Sequence, residues 1–338
     1  MSTAPRLGIR LHGGLAPAQC VAFARAAETA GLASLWFAEN PMERGILPAL
    51  AACAVATRRI ELGIGVWNPY TKHPAQIAME IGALDELSGG RVVLGLGSGL
   101  AAPIQRLGID NGRPIAALRD TFHIVRGLLR GESVTYKGRV FSVESAKLSY
   151  TPRADMALLM AARGDRALVL CGEIADGLMV SNMCPPGFAR HALAAVQAGA
   201  AKAGRPNQRR MVQYAPCAVS ADRATALAAI KPMLAGMLKT FWTLGQKVPA
   251  ARVSLVDHSG IAAADFAATV ALLQAGGSPM TAIDPRFVDA FAVAGTPEDC
   301  LVRLATYGAA GVTDLGLTFV GADPLADIAA LGRAAAAV

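Results

Sequence analysis

Charged and aromatic residues are scarce in this chain of 338 residues, at 17% and 5% of its composition, against 53% hydrophobic residues. A chain with so little charge and so much apolar content can build a large core, which excludes a disordered protein. Few aromatic residues lie near the basic ones, so nucleic acid is not expected as a partner despite the net charge of +7. We assign the basic residues to solvated helix faces, with contacts to anionic ligand phosphates as the second interpretation.

Cysteine and histidine do not occur in metal-binding or redox patterns. The six cysteines never come closer than thirteen positions, and the five histidines show neither HxH nor HExxH spacing. We therefore expect no metal site and small, buried cysteines. No unbroken apolar run approaches the roughly 18 residues of a membrane span, and the N-terminus lacks a signal sequence. These absences predict a soluble, cytoplasmic protein with no membrane partner.

Apolar strand patterns alternate with helical patterns along most of the chain. This alternation is typical of a parallel sheet covered on both faces, and eight strands are the number found in a (β/α)8 TIM barrel. The eight predicted strands are Leu7–Leu11, Leu35–Ala38, Leu62–Val66, Val92–Leu94, Ala157–Met160, Gly177–Val180, Met211–Val219 and Asp314–Phe319. The sequence therefore predicts an α/β fold of the TIM-barrel class.

We predict one domain over residues 1–338, with inserted segments. The main insertion is placed at about residues 239–289, between strands seven and eight, where Gly/Pro-rich pieces and helical fragments interrupt the alternation. A loop is predicted over Pro103–Pro114 and a hairpin over Ser133–Val143. Since TIM-barrel sites lie at the C-terminal ends of the strands, functional residues are sought there.

Polar and glycine residues follow several of the predicted strands. Glu39 ends strand two, where it is either a surface carboxylate or a functional group. Gly164 opens a helix after strand five, so its amides either start an ordinary helix or hold a phosphate with help from Arg163. Gly63 and Gly65 interrupt an apolar strand, which predicts a bulge or a close backbone approach.

The glycines after strand four do not form a dinucleotide-binding fingerprint. Gly95, Gly97 and Gly99 have the right first spacing, but position 100 is Leu and no acidic residue follows about 20 positions on. Ser98 lacks a glycine two positions away on either side, which excludes a nucleophile elbow. A Rossmann-type nicotinamide site and a serine hydrolase are therefore not expected.

Several motifs together resemble the bacterial luciferase-like superfamily, and within it the methylenetetrahydromethanopterin reductases, which use coenzyme F420, a deazaflavin. The motifs are Gly63–Pro74, Leu84–Arg91, Leu94–Gly99, Gly172–Gly177 and Asp289–Glu298. They span nearly the whole chain. The resemblance implies a TIM barrel, a homodimer or higher homo-oligomer, and hydride transfer at a flavin-type ring, with coenzyme F420 or FMN as the cofactor.

The resemblance also implies where the cofactor lies. Its ring would be backed by a non-prolyl cis peptide or bulge at Gly65-Val66, and its phosphate would reach the helix start after strand five. The implied cofactor-binding residues are Gly65, Val66, Asn68, Gly97, Ala162, Arg163, Gly164, Ser181 and Asn182. The implied catalytic candidates are Glu39, Arg10 and Asn40.

Three of these positions depart from the reductases. Arg10 stands where they carry a Glu at the end of strand one, Asn40 stands in place of a His, and Arg163 replaces a Gln. The resemblance implies a small-molecule substrate that is pterin-like or otherwise anionic. The cation in place of a carboxylate argues against the pterin itself and favours a more anionic substrate, or FMN in place of the deazaflavin. We interpret the chain as a flavin- or deazaflavin-dependent oxidoreductase. The alternatives are an FMN-dependent monooxygenase and a flavin-binding barrel without turnover.

Overall fold

The computed structural model describes residues 4–206 and 210–337, in which strands alternate with helices. The strands are β1 Arg6–His12, β2 Ser34–Ala38, β3 Glu61–Trp67, β4 Val92–Leu96, β5 Val134–Lys137, β6 Ser142–Ala146, β7 Leu158–Ala161, β8 Gly177–Val180, β9 Met211–Val219, β10 Val293–Gly295 and β11 Asp314–Phe319. The helices are α1 Pro17–Thr29, α2 Ile46–Ala56, α3 Pro74–Ser88, α4 Ala101–Gln105, α5 Pro114–Leu129, α6 Asp165–Ile174, α7 Pro186–Lys202, α8 Arg223–Lys247, α9 Pro249–Arg252, α10 Ala263–Gln274, α11 Pro279–Ala282, α12 Pro285–Phe291, α13 Pro297–Ala309 and α14 Pro324–Ala336. A π-helical turn over Val253–Asp257 follows α9.

Eight of the strands close into a parallel barrel. Each pairs with the next in the order β1, β2, β3, β4, β7, β8, β9 and β11, and β11 pairs again with β1. This confirms the predicted TIM barrel. β10 is an additional short strand that pairs with the C-terminal part of β9, and β5 and β6 form a separate antiparallel hairpin, as the sequence predicts.

The barrel strands are apolar on both faces because one face fills the barrel and the other packs against the helices. Inside the barrel, a buried cluster is formed by Trp36, Val93, Leu159, Met179, Val212 and Tyr214. Below it, at the N-terminal end of the strands, Asp314 and Glu61 form ion pairs with Arg6 and Arg210. All six cysteines are free and buried, as expected.

The motif between α3 and β4 is a connection at the N-terminal end of the barrel. The side chain of Asp85 accepts hydrogen bonds from the backbone N–H of Val92 at 3.0 Å and from Nε of Arg153 at 2.9 Å. Gly89 and Gly90 have φ of +73° and +82°, a region that favours glycine. This motif supported the resemblance, but it lies at the end of the barrel opposite the expected site.

Two predicted segments differ from the structure. The predicted loop over Pro103–Pro114 includes the last residues of α4, and α5 already begins at Pro114. The predicted insertion begins inside α8, which continues through Lys239 to Lys247 despite Pro232. The glycines and prolines of this stretch suggested a break in the chain's helical pattern. α8 nevertheless stays helical because its apolar face packs into the core. The division into one domain with an insertion at about residues 239–289 stays a prediction.

The segment between β9 and β11 has an apolar cluster of its own. Phe266 lies at its centre, with its ring 5.0 Å from that of Phe287 and 5.9 Å from that of Trp242. The π-helical turn reaches the ends of β7 and β8, where Ser254 contacts Arg163. Across residues 4–206 and 210–337, no helix is both long and apolar enough to cross a membrane.

Candidate functional site

Tyr214 forms the floor at the C-terminal end of the barrel, which we call the barrel mouth. Its side chain extends from β9 across the interior, and its hydroxyl donates a hydrogen bond of 3.0 Å to the carbonyl of Gly65 on β3. The guanidinium carbon of Arg10 lies 5.3 Å from the centre of the Tyr214 ring. One buried tyrosine therefore joins three strands of the mouth.

The end of β3 departs from regular strand geometry. The Gly65-Val66 peptide bond is cis, and the pairing with β4 shifts register between Gly65 and Trp67. Both observations confirm the prediction made for this position. A Cβ atom on Gly65 would lie 1.7 Å from the Tyr214 hydroxyl, and one on Gly97 would lie 2.8 Å from Cγ2 of Val66. A side chain is therefore excluded at Gly65 and crowded at Gly97, and we call the backbone surface of Gly65, Val66 and Gly97 the glycine cradle.

Asn68 fixes the turn that follows β3. It is buried, its Oδ1 accepts a hydrogen bond of 2.7 Å from the N–H of Tyr70, and its Nδ2 donates one of 3.3 Å to the carbonyl of Ser98. Asn68 thus ties the ends of β3 and β4 together, beside Gly97. Its side chain shapes the rim of the mouth.

Glu39 is half-buried beside this turn, near Lys72 and Glu80. Burial raises the pKa of Glu39, while the backbone N–H of Asn68 and the charge of Lys72 oppose the shift. Lys72 lies 4.8 Å above the ring of Trp67 and forms an ion pair with Glu80. Asn40, by contrast, is exposed and donates a hydrogen bond of 3.1 Å to Glu43. The two predicted neighbours therefore have different surroundings.

The pH dependence of stability tests the surroundings of Glu39. Because its pKa is raised, the folded protein binds this proton more tightly than the unfolded chain, whose glutamate pKa is about 4.3. The stabilisation is thus present below the unfolded pKa and is lost as the pH rises through the folded one. We expect the free energy of unfolding of the wild type, relative to Glu39→Gln, to fall as the pH rises above about 4. Urea denaturation across a pH series measures it. A Glu39→Gln variant that parallels the wild type at every pH would contradict the assigned surroundings of Glu39.

The ends of β7 and β8 meet at the start of α6. Arg163 donates hydrogen bonds to the carbonyl of Asn182 at 2.8 Å and to Oγ of Ser254 at 3.0 Å, and its guanidinium lies over the ring of Phe241. Ala162 is buried beside it, and its N–H donates to the carbonyl of Met179 at 3.3 Å. Arg163 therefore joins segments that are far apart in sequence, of which only Asn182 was predicted to lie here.

The N-terminus of α6 has the features of an anion-binding position. Gly164 precedes the helix in an extended conformation, and among the described residues no side chain caps its amides. Nearby, Oδ1 of Asn182 is shut off from solvent and has no hydrogen-bond partner within residues 4–206 and 210–337. Ser181 is exposed. These uncapped amides can donate hydrogen bonds to a phosphate group, whereas Oδ1 of Asn182 is an acceptor and needs a donor from a ligand instead.

Sequence reasoning did not identify three residues of the mouth, namely Tyr214, His12 and Thr318. Tyr214 is the only aromatic residue of β9, and Thr318 is a polar residue in an otherwise apolar stretch of β11. Both departures are visible in the sequence. They were missed because a strand buried on both faces does not indicate which side chains point into the barrel.

Comparisons with known proteins agree with this geometry. A family model described as luciferase-like monooxygenase matches residues 1–314. The 5,10-methylenetetrahydromethanopterin reductase of Methanolobus tindarius is 32% identical over 297 residues, which cover 87% of each chain. The enzyme of the same name from Archaeoglobus fulgidus is 31% identical over 295 residues and has the same coverage. The solved coenzyme F420 dependent tetrahydromethanopterin reductase from Methanopyrus kandleri superposes with a TM-score of 0.85 at 25% identity, covering 98% of both chains.

Proposed function

We propose a hydride-transfer function for this chain, which belongs to the luciferase-like monooxygenase family. It is a flavin- or deazaflavin-dependent oxidoreductase. Coenzyme F420 is our first candidate for the cofactor, since a structure of high similarity is named as dependent on it. FMN is the second candidate. When bound, the reduced ring supplies a hydride, and hence two electrons, to an electrophilic carbon of the substrate.

The observation that carries this proposal is the glycine cradle at the barrel mouth. The Tyr214 hydroxyl lies where a Cβ on Gly65 would be and donates to the carbonyl of Gly65, and Val66 and Ala161 crowd the Cβ position of Gly97, so both positions present bare backbone. Val66 forms the wall between them, in contact distance of Gly97. These residues support a flat ring against one side of the mouth and keep water from that face.

The opposite part of the mouth supports the phosphate of the same ligand. Its anionic oxygens would accept hydrogen bonds from the uncapped amides at Gly164, where the helix dipole also favours negative charge. Arg163 holds Asn182 and Ser254 in place around that position and adds a positive charge. Arg163 thus has two roles in this proposal: it holds Asn182 and Ser254 in place, and its positive charge attracts the phosphate.

The substrate lies over the ring, on the side of β1 and β2. Glu39 is our candidate acid or base, because burial raises the pKa of its carboxyl group towards the range useful for proton transfer. Arg10 on β1 and Asn40 just after β2 are our candidates for contacts with a pterin-like or other anionic substrate. A homodimer or larger homo-oligomer is part of the proposal, supported by the exposed Val55, Met79 and Leu87 on α2 and α3.

Titration of the purified protein with coenzyme F420 and with FMN tests the cofactor. Ring absorbance and fluorescence report binding, and we expect Arg163→Ala to weaken it by about 1–3 kcal/mol through the lost charge-assisted contacts. Arg25→Ala, at an exposed position of α1, is the control and should bind as the wild type does. Unchanged affinity in Arg163→Ala would count against the phosphate position.

Turnover distinguishes the proposed reaction from its alternatives. Anaerobic oxidation of the reduced coenzyme by an added acceptor identifies a reductase, whereas substrate-dependent oxygen consumption with reduced FMN identifies a monooxygenase. Ligand binding without either reaction would leave a flavin-binding barrel without turnover.

A further inference from the structure

A groove of about 570 Å³ lies on the outside of the barrel, between α5, β5 and the end of α6. We call it the α5 groove. The charged and aromatic side chains that carry its chemistry are Arg119, His123, Arg126, Arg130, Glu132 and Tyr136. None of the residues described at the barrel mouth lines this groove. Its volume is in the range of small-molecule sites, and it is a space separate from the mouth.

The polar side chains of α5 in this groove form one stripe along the helix. Arg119, His123, Arg126 and Arg130 follow each other at intervals of four, three and four positions, which places them on the same face. Arg126 and Arg130 are like charges at a spacing that destabilises a helix. The dipole at the C-terminal end of α5 favours these two arginines, but it does not extend to Arg119 in the second turn. The stripe as a whole therefore needs an explanation outside helix stability.

Two carboxylates behind the groove are each shared between two cations. Glu173 accepts a hydrogen bond of 2.7 Å from Arg119 and one of 3.0 Å from Lys202. Asp176 is shared in the same way between Arg126 and a second arginine behind the groove. Because each carboxylate faces two cations, these ion pairs leave positive charge at the groove.

Arg130 is the cation of the groove that is available to a ligand. It is exposed and forms no ion pair within residues 4–206 and 210–337. Glu132 is the one carboxylate of the described lining, and its Oε2 lies 3.2 Å from the position that a Cβ on Gly127 would take, against the wall of α5. Three arginines against one glutamate give the lining a net charge of +2. An anion is therefore favoured in this space.

A flat surface lies next to these charges. The rings of His123 and Tyr136 are stacked, with their centres 4.2 Å apart and their planes at 28°. The hydroxyl of Tyr136 donates a hydrogen bond of 2.9 Å to Asp120, which fixes this ring, while His123 is exposed. A ligand ring lying on His123 would continue the stack. Arg130 follows His123 by seven positions, about 10 Å along the helix, so one ligand of moderate length can contact both.

We propose that the α5 groove binds a small molecule in which a flat ring is joined to a phosphate, at a site separate from the barrel mouth. The ring lies on His123, and the phosphate accepts hydrogen bonds from the guanidinium of Arg130. A phosphate with a charge of about −2 matches the lining better than a single carboxylate does. Glu132 accepts a hydrogen bond from a hydroxyl or amino group of the same ligand. A second copy of this chain does not suit the groove, because a two-fold contact would bring two sets of arginines together.

Isothermal titration calorimetry with adenosine monophosphate, adenosine and inorganic phosphate tests the site without any coenzyme. We expect the wild type to bind the monophosphate at least about tenfold more tightly than either of its parts. Arg130→Met should lower this affinity about tenfold, and His123→Ala about threefold to tenfold. Because Arg130 is exposed, Arg130→Met should keep the melting temperature of the wild type, so that lost binding is not lost folding.

Two further variants separate the groove from general charge and from the mouth. Arg139→Met removes the same charge from the exposed turn of the hairpin between β5 and β6, outside the lining of the groove. Arg163→Ala changes the mouth alone. We expect both variants to bind adenosine monophosphate as the wild type does.

Four outcomes would overturn the proposal. Adenosine or inorganic phosphate that binds as tightly as the monophosphate would remove the need for a ring joined to a phosphate. Equal losses in Arg130→Met and Arg139→Met would indicate non-specific attraction, and a loss in Arg163→Ala would place the ligand at the mouth. Unchanged affinity in both Arg130→Met and His123→Ala would exclude the groove.

Discussion

Gly65→Ala is expected to lower the affinity for the coenzyme about 100-fold and to destabilise the fold by about 3 kcal/mol. The added Cβ would lie 1.7 Å from the Tyr214 hydroxyl and 2.5 Å from Cε of Met179. Tyr214 cannot yield easily, because it is buried and Arg10 lies against its ring. The clash would break its hydrogen bond to Gly65 and displace the cradle. Ring fluorescence titration and urea denaturation measure the two effects.

A double variant identifies the source of this loss. Gly65→Ala combined with Tyr214→Phe removes the hydroxyl that the Cβ meets, so we expect it to recover part of the stability that Gly65→Ala loses. Gly236→Ala is the control, since a Cβ there meets open space within α8 and should stabilise by about 0.5–1 kcal/mol. Wild-type affinity in Gly65→Ala would contradict the placement of the ring.

The second large effect is expected at the other end of the barrel. Asp85→Ala should lower the free energy of unfolding by about 3 kcal/mol, because it removes a buried acceptor from Arg153 and from the N–H of Val92. The side chain of Asp85 is only 4% exposed, so water cannot replace these contacts. Chemical denaturation measures the loss. Coenzyme affinity should stay unchanged, since the motif lies far from the mouth.

Asp155 offers a matched control, because it forms an ion pair of 3.1 Å with the same arginine but is 84% exposed. Asp155→Ala should cost less than about 1 kcal/mol. Equal losses in the two variants would show that burial does not determine the strength of these pairs and would refute the structural role given to this motif.

Only some of the family motifs lie at the candidate site. The Leu84–Arg91 motif contributed to the resemblance, yet its residues connect a helix to a strand at the N-terminal end of the barrel. The Gly63–Pro74 motif, in contrast, contains both the cradle at Gly65 and the rim residue Asn68. A motif therefore identified the family reliably, while the position of its residues on the barrel determined which of them face the mouth.

The sequence by itself determined the barrel and its expected mouth. Apolar strands alternating with helices are enough to predict eight parallel strands, and parallel strands place their C-terminal ends at one edge. Glycines in an apolar strand indicated a bulge or a close backbone approach near Gly65, whereas the cis peptide bond there was implied by the family resemblance. These features depend on local periodicity and on single residue types, which are present in the sequence without knowledge of long-range contacts.

Tertiary structure alone decided which side chains meet at the mouth. Tyr214 contacts Gly65 across 149 positions of sequence, and Arg163 contacts Ser254 across 91. Strands that are apolar on both faces do not indicate which residues point inward, so neither contact follows from periodicity. Whether Arg10 has an anionic partner likewise depends on every element packed around it. Only closure of the barrel brings these segments together.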